Sequence, residues 1–141
     1  MKRNKRVLIL CTANSARSQM GEGLLRAIGG GRIEVESAGA RPTRVREEAI
    51  AVMGELGIDL GGHRSKSVDE FAGQEFDVVL TVCDNARDAC PVFAGAKRVV
   101  HRAFADPAGK EGSWEERLAA FRVVRDEMAG YLRELAGELE Q

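Results

Sequence analysis

Two residues near the start of the chain have the types and the spacing for nucleophilic chemistry on an oxyanion. Cys11 precedes Arg17 by six positions, and the residues between them are small or tolerant of tight turns. Between a strand and a helix, such a loop can point successive backbone N–H groups inward and form an anion nest at the helix N-terminus. Arg17 can then hold two oxygens of a tetrahedral anion. Cys11 would lie beneath the bound anion.

The expected surroundings of Cys11 favour its thiolate, which is the nucleophilic form of cysteine. The helix dipole, the inward N–H groups and Arg17 stabilise negative charge, and Ser18 can donate a hydrogen bond to the sulfur. Asn14 tolerates the left-handed backbone geometry that such loops need. We predict that Cys11 is a nucleophile within an anion loop, residues 11–18. The alternative is a buried structural cysteine beside a surface arginine. The predicted oxyanion-binding residues are Thr12, Ala13, Asn14, Ser15, Ala16, Arg17 and Ser18.

Asp106 is a candidate general acid. Attack on a tetrahedral oxyanion must expel an oxygen, and a carboxylic acid on a loop can protonate it. Pro107 fixes the backbone that follows. Because an Asp-Pro pair is also an ordinary turn signal, Asp106 indicates catalysis only in combination with Cys11.

Cys83 and Cys90, seven positions apart, are candidates for thiol–disulfide exchange. They can form a disulfide if the segment between them bends, and its Asp, Asn and Pro residues favour a turn or loop. A relay needs thiols that can reach one another and an exposed last member. Two inert buried thiols are one alternative. A zinc site with His101 is another, although three ligands at this spacing are unlike structural zinc motifs.

The elements that must position these residues alternate along the chain. Apolar runs of strand length alternate with amphipathic helical patterns, which is typical of a parallel sheet covered on both faces. We predict an α/β fold, a single domain with a central four-stranded parallel sheet and helices on both faces. Since such sheets bind ligands at the carboxyl ends of their strands, Cys11 and Cys83 are well placed at two strand ends. The predicted strands are 5–10, 33–37, 77–83 and 97–101, the helices are 18–28, 46–56 and 115–139, and a single helical turn is 68–72.

Composition excludes several classes of protein. The 141 residues carry a formal net charge of −1, 44% of them are hydrophobic, and only three are cysteines. Three cysteines are too few for a secreted disulfide scaffold, and a balanced charge argues against a nucleic-acid-binding surface. The apolar run 7–10 is too short for an export signal or a membrane span. We expect a single domain over residues 1–141, soluble and cytoplasmic.

Several motifs in one order resemble those of the thioredoxin-coupled arsenate reductases, which have the low-molecular-weight protein tyrosine phosphatase fold. The resemblance runs from about Val7 to the C-terminal helix. Plain tyrosine phosphatases share only the loop, the SAG segment and Asp106-Pro107, without the cysteine pair. The matching segments are CTANSARSQM (11–20), Glu22-Gly23, SAG (37–39), Gly62-His63, TVCDNARDACP (81–91), DPAGKE (106–111) and Trp114.

The resemblance implies a redox cycle in arsenical resistance. Cys11 would attack arsenate while Asp106 protonates the departing hydroxyl. Cys83 would then attack Cys11, releasing arsenite, and Cys90 would attack Cys83, leaving a Cys83–Cys90 disulfide for thioredoxin to reduce. The implied partners are arsenate and thioredoxin as electron donor, with no nucleic acid and no membrane. No bound cofactor and no metal are expected, and we expect a monomer.

The sequence departs from the family pattern at three positions. Ala13 stands where glycine is usual, which raises the question of a positive φ there. Ala16 replaces a further cysteine found in many members, which does not impair the relay. Lys66 stands where some members carry an aspartate that, with residues matching Asn14, Glu22 and Ser37, binds a potassium ion. We hypothesise that the Lys66 ammonium replaces this ion and pairs with Glu22, the alternative being a solvated lysine.

Two other functions stay open. A low-molecular-weight phosphatase with bystander cysteines would use Cys11 and Asp106 alone. A non-enzymatic oxyanion or redox sensor would use the Cys83–Cys90 pair to alter a binding surface. Elsewhere, we interpret Trp114 as a core residue and residues 41–46, with their three arginines, as a solvated loop and helix start.

Overall fold

A computed structural model of the chain describes residues 4–83 and 92–140. Its four strands form one parallel sheet, as the sequence predicts. The strands are β1 (Lys5–Cys11), β2 (Ile33–Gly39), β3 (Phe76–Thr81) and β4 (Ala96–His101), and their order in the sheet is β2-β1-β3-β4. Strand β3 ends two residues earlier than predicted, so that Cys83 follows the strand.

The central strand β1 is buried on both faces. Its apolar run Val7, Leu8, Ile9 and Leu10 is completely inaccessible, which is why it reads as a continuous hydrophobic segment without alternation. Because successive side chains point to opposite faces, Val7 and Ile9 enter one apolar cluster, and Leu8 and Leu10 enter another.

In the part of the chain that the structure describes, three α-helices cover the first face of the sheet and contribute to the larger of these clusters. The long C-terminal helix packs the stripe predicted from its sequence, including Leu118, Phe121 and Met128. Its first turn is fixed by a capping box between Ser113 and Glu116. The helices are α1 (Arg17–Gly29), α2 (Glu47–Gly54) and α3 (Trp114–Leu139), and there are single 3-10 turns at Val68–Phe71 and Pro107–Gly109.

The second face of the sheet carries a smaller cluster. Phe71, from the Val68–Phe71 turn, packs edge-on against Phe76, with the ring centroids 5.9 Å apart. Phe93 packs against Phe76 from another side. Both faces are therefore covered, as predicted, and in the described residues the second face has this single turn of 3-10 helix.

The interpretation of Trp114 as a core residue is wrong. The residue is 39% exposed at the start of α3, where the Arg117 guanidinium lies 5.3 Å from its ring centroid. The helical pattern that begins there explains the error, because the buried stripe starts one turn later, at Leu118.

No helix within residues 4–83 and 92–140 combines the length and the apolar character needed to cross a membrane.

Candidate active site

The anion loop joins the last residue of β1, Cys11, to the first residue of α1, Arg17. Asn14 adopts the predicted left-handed geometry, with φ 50°. It is the one non-glycine residue with positive φ in the described part of the chain. Ala13 therefore meets no strain of this kind, and its replacement of glycine is compatible with the loop.

Among residues 4–83 and 92–140, two groups form hydrogen bonds with the Cys11 sulfur. The Ser18 hydroxyl oxygen lies 2.8 Å away, and the Asn14 backbone N–H donates over 3.2 Å. When Cys11 is a thiolate it can only accept, so Ser18 must be the donor. Cys11 is a free thiol and only 2% exposed. The structure thus places the Ser18 hydroxyl in contact with the sulfur of the candidate nucleophile.

The segment of residues 41–46 holds the carbonyl groups of the anion loop. Three of its backbone N–H groups donate to three loop carbonyls: Arg41 to Thr12 over 2.8 Å, Thr43 to Ala13 over 3.3 Å and Arg46 to Ser15 over 3.0 Å. Since the N–H and C=O groups of a peptide unit point in opposite directions, carbonyls held on this side leave the loop N–H groups for the other side. The sequence analysis identified this segment only as a solvated loop.

Arg17 and Asp106, two of the candidate site residues, are brought together by the fold. The Arg17 guanidinium is buried and donates to the Phe104 carbonyl over 3.3 Å. Its other terminal nitrogen lies 3.6 Å from Asp106 Oδ2. The second Asp106 oxygen accepts from the Ala108 N–H over 3.0 Å, which caps the 3-10 turn begun by Pro107. Asp106 is 48% exposed, so the carboxyl group can exchange protons with water.

Cys83 lies at the same edge of the sheet as Cys11. It is buried, and its sulfur is 3.8 Å from the carbonyl oxygen of Leu10, the residue preceding Cys11. Cys83 is disulfide-bonded, whereas Cys11 is not. The predicted relay member Cys90 lies in residues 84–91, outside the described residues.

Lys66 forms the ion pair with Glu22 that the sequence analysis predicts. Its ammonium nitrogen is 3.6 Å from Glu22 Oε1 and 2.9 Å from Glu36 Oε1. Glu22 is buried, accepts a hydrogen bond from the Ser37 hydroxyl and also pairs with Arg26 over 2.7 Å. A cation is thus held behind the anion loop by a side chain of the protein itself. In residues 4–83 and 92–140, no group of three His, Cys, Asp or Glu side chains is arranged to hold a metal ion.

The sequence analysis missed two residues of this site. Gln19 is completely buried and contacts Asn14. The ring nitrogen Nδ1 of His63 lies 3.0 Å from the side-chain amide oxygen of Gln19. One feature of the sequence could have indicated that Gln19 is buried. Gln19 directly follows the loop, and the next residue of the helix, Met20, is a core residue.

Two sequence comparisons relate the chain to known proteins. The family model for low molecular weight phosphotyrosine protein phosphatase matches residues 6–141. An arsenate reductase of Halalkalibacterium halodurans is 42% identical over 134 residues, covering 94% of this chain and 96% of that protein.

Two solved structures superimpose on this chain over most of its length. An arsenate reductase in its phosphate-binding state superimposes with a TM-score of 0.82 at 32% identity, covering 96% of this chain and 98% of that one. A thioredoxin-dependent arsenate reductase of Corynebacterium glutamicum has a TM-score of 0.70 at 25% identity, covering 99% of this chain and 63% of that one.

Proposed function

The chain belongs to the low molecular weight phosphotyrosine protein phosphatase family, and within it we propose that the protein reduces arsenate to arsenite by a three-cysteine relay recycled by thioredoxin. The observation that carries the proposal is the position of Cys83. Its sulfur lies 3.8 Å from the carbonyl of Leu10, on the strand that ends at the candidate nucleophile Cys11. A phosphatase has no need of a second cysteine at this sheet edge.

The first step uses the anion loop. Arg17 and the loop N–H groups hold arsenate above the Cys11 thiolate, which the hydrogen bond from Ser18 stabilises. Cys11 attacks arsenic, a sulfur–arsenic bond forms, and one As–O bond breaks as Asp106 protonates the departing hydroxide, which leaves as water. The product is a covalent thio-arsenate in which arsenic is still pentavalent.

The second step transfers electrons between thiols and arsenic. The Cys83 thiolate attacks the Cys11 sulfur, the sulfur–arsenic bond breaks, and its electron pair leaves with arsenic as arsenite. Cys90 then attacks Cys83, which restores the Cys11 thiol and leaves a Cys83–Cys90 disulfide. Each turnover therefore ends with Cys11 as a thiol and the other two cysteines oxidised.

The third step regenerates the enzyme. Thioredoxin supplies two electrons to the Cys83–Cys90 disulfide through a mixed disulfide. Support comes from the Corynebacterium glutamicum relative, which is a thioredoxin-dependent arsenate reductase.

A phosphatase is the second candidate. The anion loop, Arg17 and Asp106 contain everything that hydrolysis of a phosphate ester through a cysteinyl-phosphate needs. It differs from the reductase by one requirement, because hydrolysis leaves all three cysteines in their starting redox state.

Trapping of single-turnover species distinguishes these functions. We expect the wild type to reduce arsenate repeatedly with thioredoxin, thioredoxin reductase and NADPH. The variant Cys90→Ser, given one equivalent of arsenate, should accumulate a Cys11–Cys83 disulfide detectable by peptide mass spectrometry. Cys83→Ser is the matched control, because it removes the relay but should retain hydrolysis of an aryl phosphate.

The other outcomes decide against the proposal. Hydrolysis of aryl phosphate by a wild type that never reduces arsenate would identify a phosphatase. A single oxidation of the protein that thioredoxin does not reverse would indicate a sensor. Absence of the Cys11–Cys83 disulfide in Cys90→Ser would refute the order of the relay.

A further inference from the structure

We propose that Gln19 is a positioning residue for the nucleophile: its side-chain amide fixes the orientation of the Asn14 amide, which in turn aims the Ser18 hydroxyl at Cys11. The inference concerns the reactivity of Cys11 in the site described above. It rests on the proposed function only in taking Cys11 as the nucleophile, and holds equally for reduction and for phosphate hydrolysis.

The Gln19 side-chain amide is completely buried, and its nitrogen faces three oxygen atoms. Its nitrogen lies 2.9 Å from Asn14 Oδ1, 3.3 Å from the Asn14 carbonyl and 2.9 Å from the Arg64 carbonyl. All three atoms are oxygens that can only accept. An amide turned the other way would place its own oxygen against three oxygens, so one orientation is strongly preferred.

His63 fixes the same orientation from the other end of the amide. Its Nδ1 lies 3.0 Å from Gln19 Oε1, which can only accept, so Nδ1 carries the hydrogen. Its Nε2 lies 3.5 Å from an Arg26 nitrogen, which can only donate. Nδ1 also lies 3.7 Å from Glu22 Oε2, and its hydrogen holds the Gln19 amide oxygen toward the ring.

The orientation of Gln19 passes to Asn14. Asn14 Oδ1 accepts from Gln19 and from the Lys66 backbone N–H over 2.8 Å. With its oxygen occupied on this side, the Asn14 side-chain nitrogen must face the two serines. It donates to Ser18 over 2.8 Å and to Ser37 over 2.9 Å.

The orientation of Asn14 then determines what Ser18 can do. Because the Ser18 oxygen accepts from Asn14, its single hydrogen remains available for the Cys11 sulfur, 2.8 Å away. A reversed Asn14 amide would present an oxygen to Ser18, which would draw that hydrogen away from Cys11. The chain from Gln19 to Asn14 to Ser18 is therefore a one-way series of donors that ends on the nucleophile.

The test measures Cys11 reactivity directly, in full-length protein with Cys83 and Cys90 replaced by serine so that Cys11 is the sole thiol. The probe is iodoacetamide, and the readout is the pH profile of the alkylation rate. Gln19→Met keeps the side chain unbranched and of similar length, adds no charge and removes the donor. We expect the midpoint of the profile to rise by about half a unit to one unit, since Lys66 still holds Asn14 Oδ1. Gln74→Met, at an exposed glutamine, is the matched control and should leave the profile unchanged.

A double-mutant cycle with Ser18→Ala separates positioning from general damage. Once Ser18 has no hydroxyl, the proposal requires Gln19→Met to have almost no further effect on the midpoint. A purely structural role of Gln19 would lower reactivity equally with and without Ser18, and that result would overturn the proposal. An unchanged midpoint in Gln19→Met would overturn it as well.

Folding of each variant is checked by circular dichroism, and Gln19→Glu replaces Gln19→Met if the latter does not fold. A carboxylate accepts but does not donate, so it favours the reversed Asn14 amide. The added negative charge of Gln19→Glu raises the midpoint by itself, and this coulombic effect remains in the Ser18→Ala background. When Ser18 is present, the rise in the midpoint should be larger than this coulombic effect.

The wild type gives a test without substitution. Its Asn14 side-chain amide should show one NMR environment with slow hydrogen exchange. Rapid exchange or two orientations would contradict the proposal. None of these measurements involves arsenate, so failure here is distinct from failure of the reductase assignment.

Discussion

Gly39 lies against the anion loop so closely that a Cβ there would come within 2.6 Å of the Thr12 carbonyl oxygen and 2.8 Å of the Asn14 amide nitrogen. Both atoms belong to the backbone, so no side chain can rotate away to make room. Gly39 ends β2, the strand that neighbours β1. Its role is close approach between two backbones, and the SAG segment is explained by this approach.

Gly39→Ala should reduce activity by displacing the loop. Because displacements of about 1 Å at a reacting group can cost two orders of magnitude, we expect the rate of arsenate reduction to fall by at least about tenfold. Gly54→Ala is the matched control, since a Cβ there meets open space. Equal rates for the two variants would show that the loop accommodates the methyl group.

The Lys66 ammonium should make the enzyme indifferent to potassium. It lies 3.6 Å from Glu22 Oε1, and a second cation there would be repelled. Replacing potassium by sodium at constant ionic strength should leave the steady-state rate unchanged. Lys66→Asp, which replaces the ammonium by a carboxylate near Glu22 and Glu36, should create a potassium response. Strong activation of the wild type by potassium would sink the hypothesis.

Asp106→Asn should slow the step in which hydroxide leaves arsenic. Loss of the acid is expected to lower kcat by about two orders of magnitude. Asparagine can still accept from the Ala108 N–H and cap the turn, so folding should be kept. Binding should not weaken, because removal of a carboxylate 3.6 Å from Arg17 frees the guanidinium for the oxyanion. Competitive inhibition by phosphate measures that binding. Asp69→Asn, at an exposed position, should have neither effect.

Glu55 should contribute stability that depends on pH. Hydrogen bonds from Arg122 and then Arg125 lower its pKa from 4.5 to about 2. Because the folded-state pKa lies below the unfolded one, the contribution is complete above about pH 4.5 and is lost as the pH falls towards 2.

Glu55→Gln should therefore lower the urea midpoint at pH 7, and its difference from the wild type should shrink between pH 4.5 and 2. Glu127→Gln, at an exposed carboxylate on α3, is the control. A difference that stays constant down to pH 2 would show that the arginine hydrogen bonds do not act through the charge of Glu55.

The sequence was sufficient for residues whose role depends on local geometry. The strand, the loop and the helix around Cys11 follow from hydrophobic periodicity and small loop residues, and the left-handed Asn14 follows from its side-chain type. Contacts between distant segments could not be found in this way. Gln19 contacts His63, which is 44 positions away in the sequence. The local sequence around either residue does not predict this contact.

Surface and core were also hard to separate at the ends of elements. Trp114 begins a helix whose apolar stripe is buried, yet its own ring lies outside that stripe. An aromatic residue at a helix start has the composition of core, and only the packing angle of the helix decides which side it faces.

Residues 41–46 support the anion loop through the backbone N–H groups of Arg41, Thr43 and Arg46, so these three hydrogen bonds do not depend on the side chains of the segment. Proline is tolerated at position 42, because the N–H it lacks lies between two that are used, at Arg41 and Thr43. The exposed side chains at positions 41–44 can therefore change in charge and size without removing these hydrogen bonds, whereas Val45 packs against the core and Arg46 pairs with Glu48.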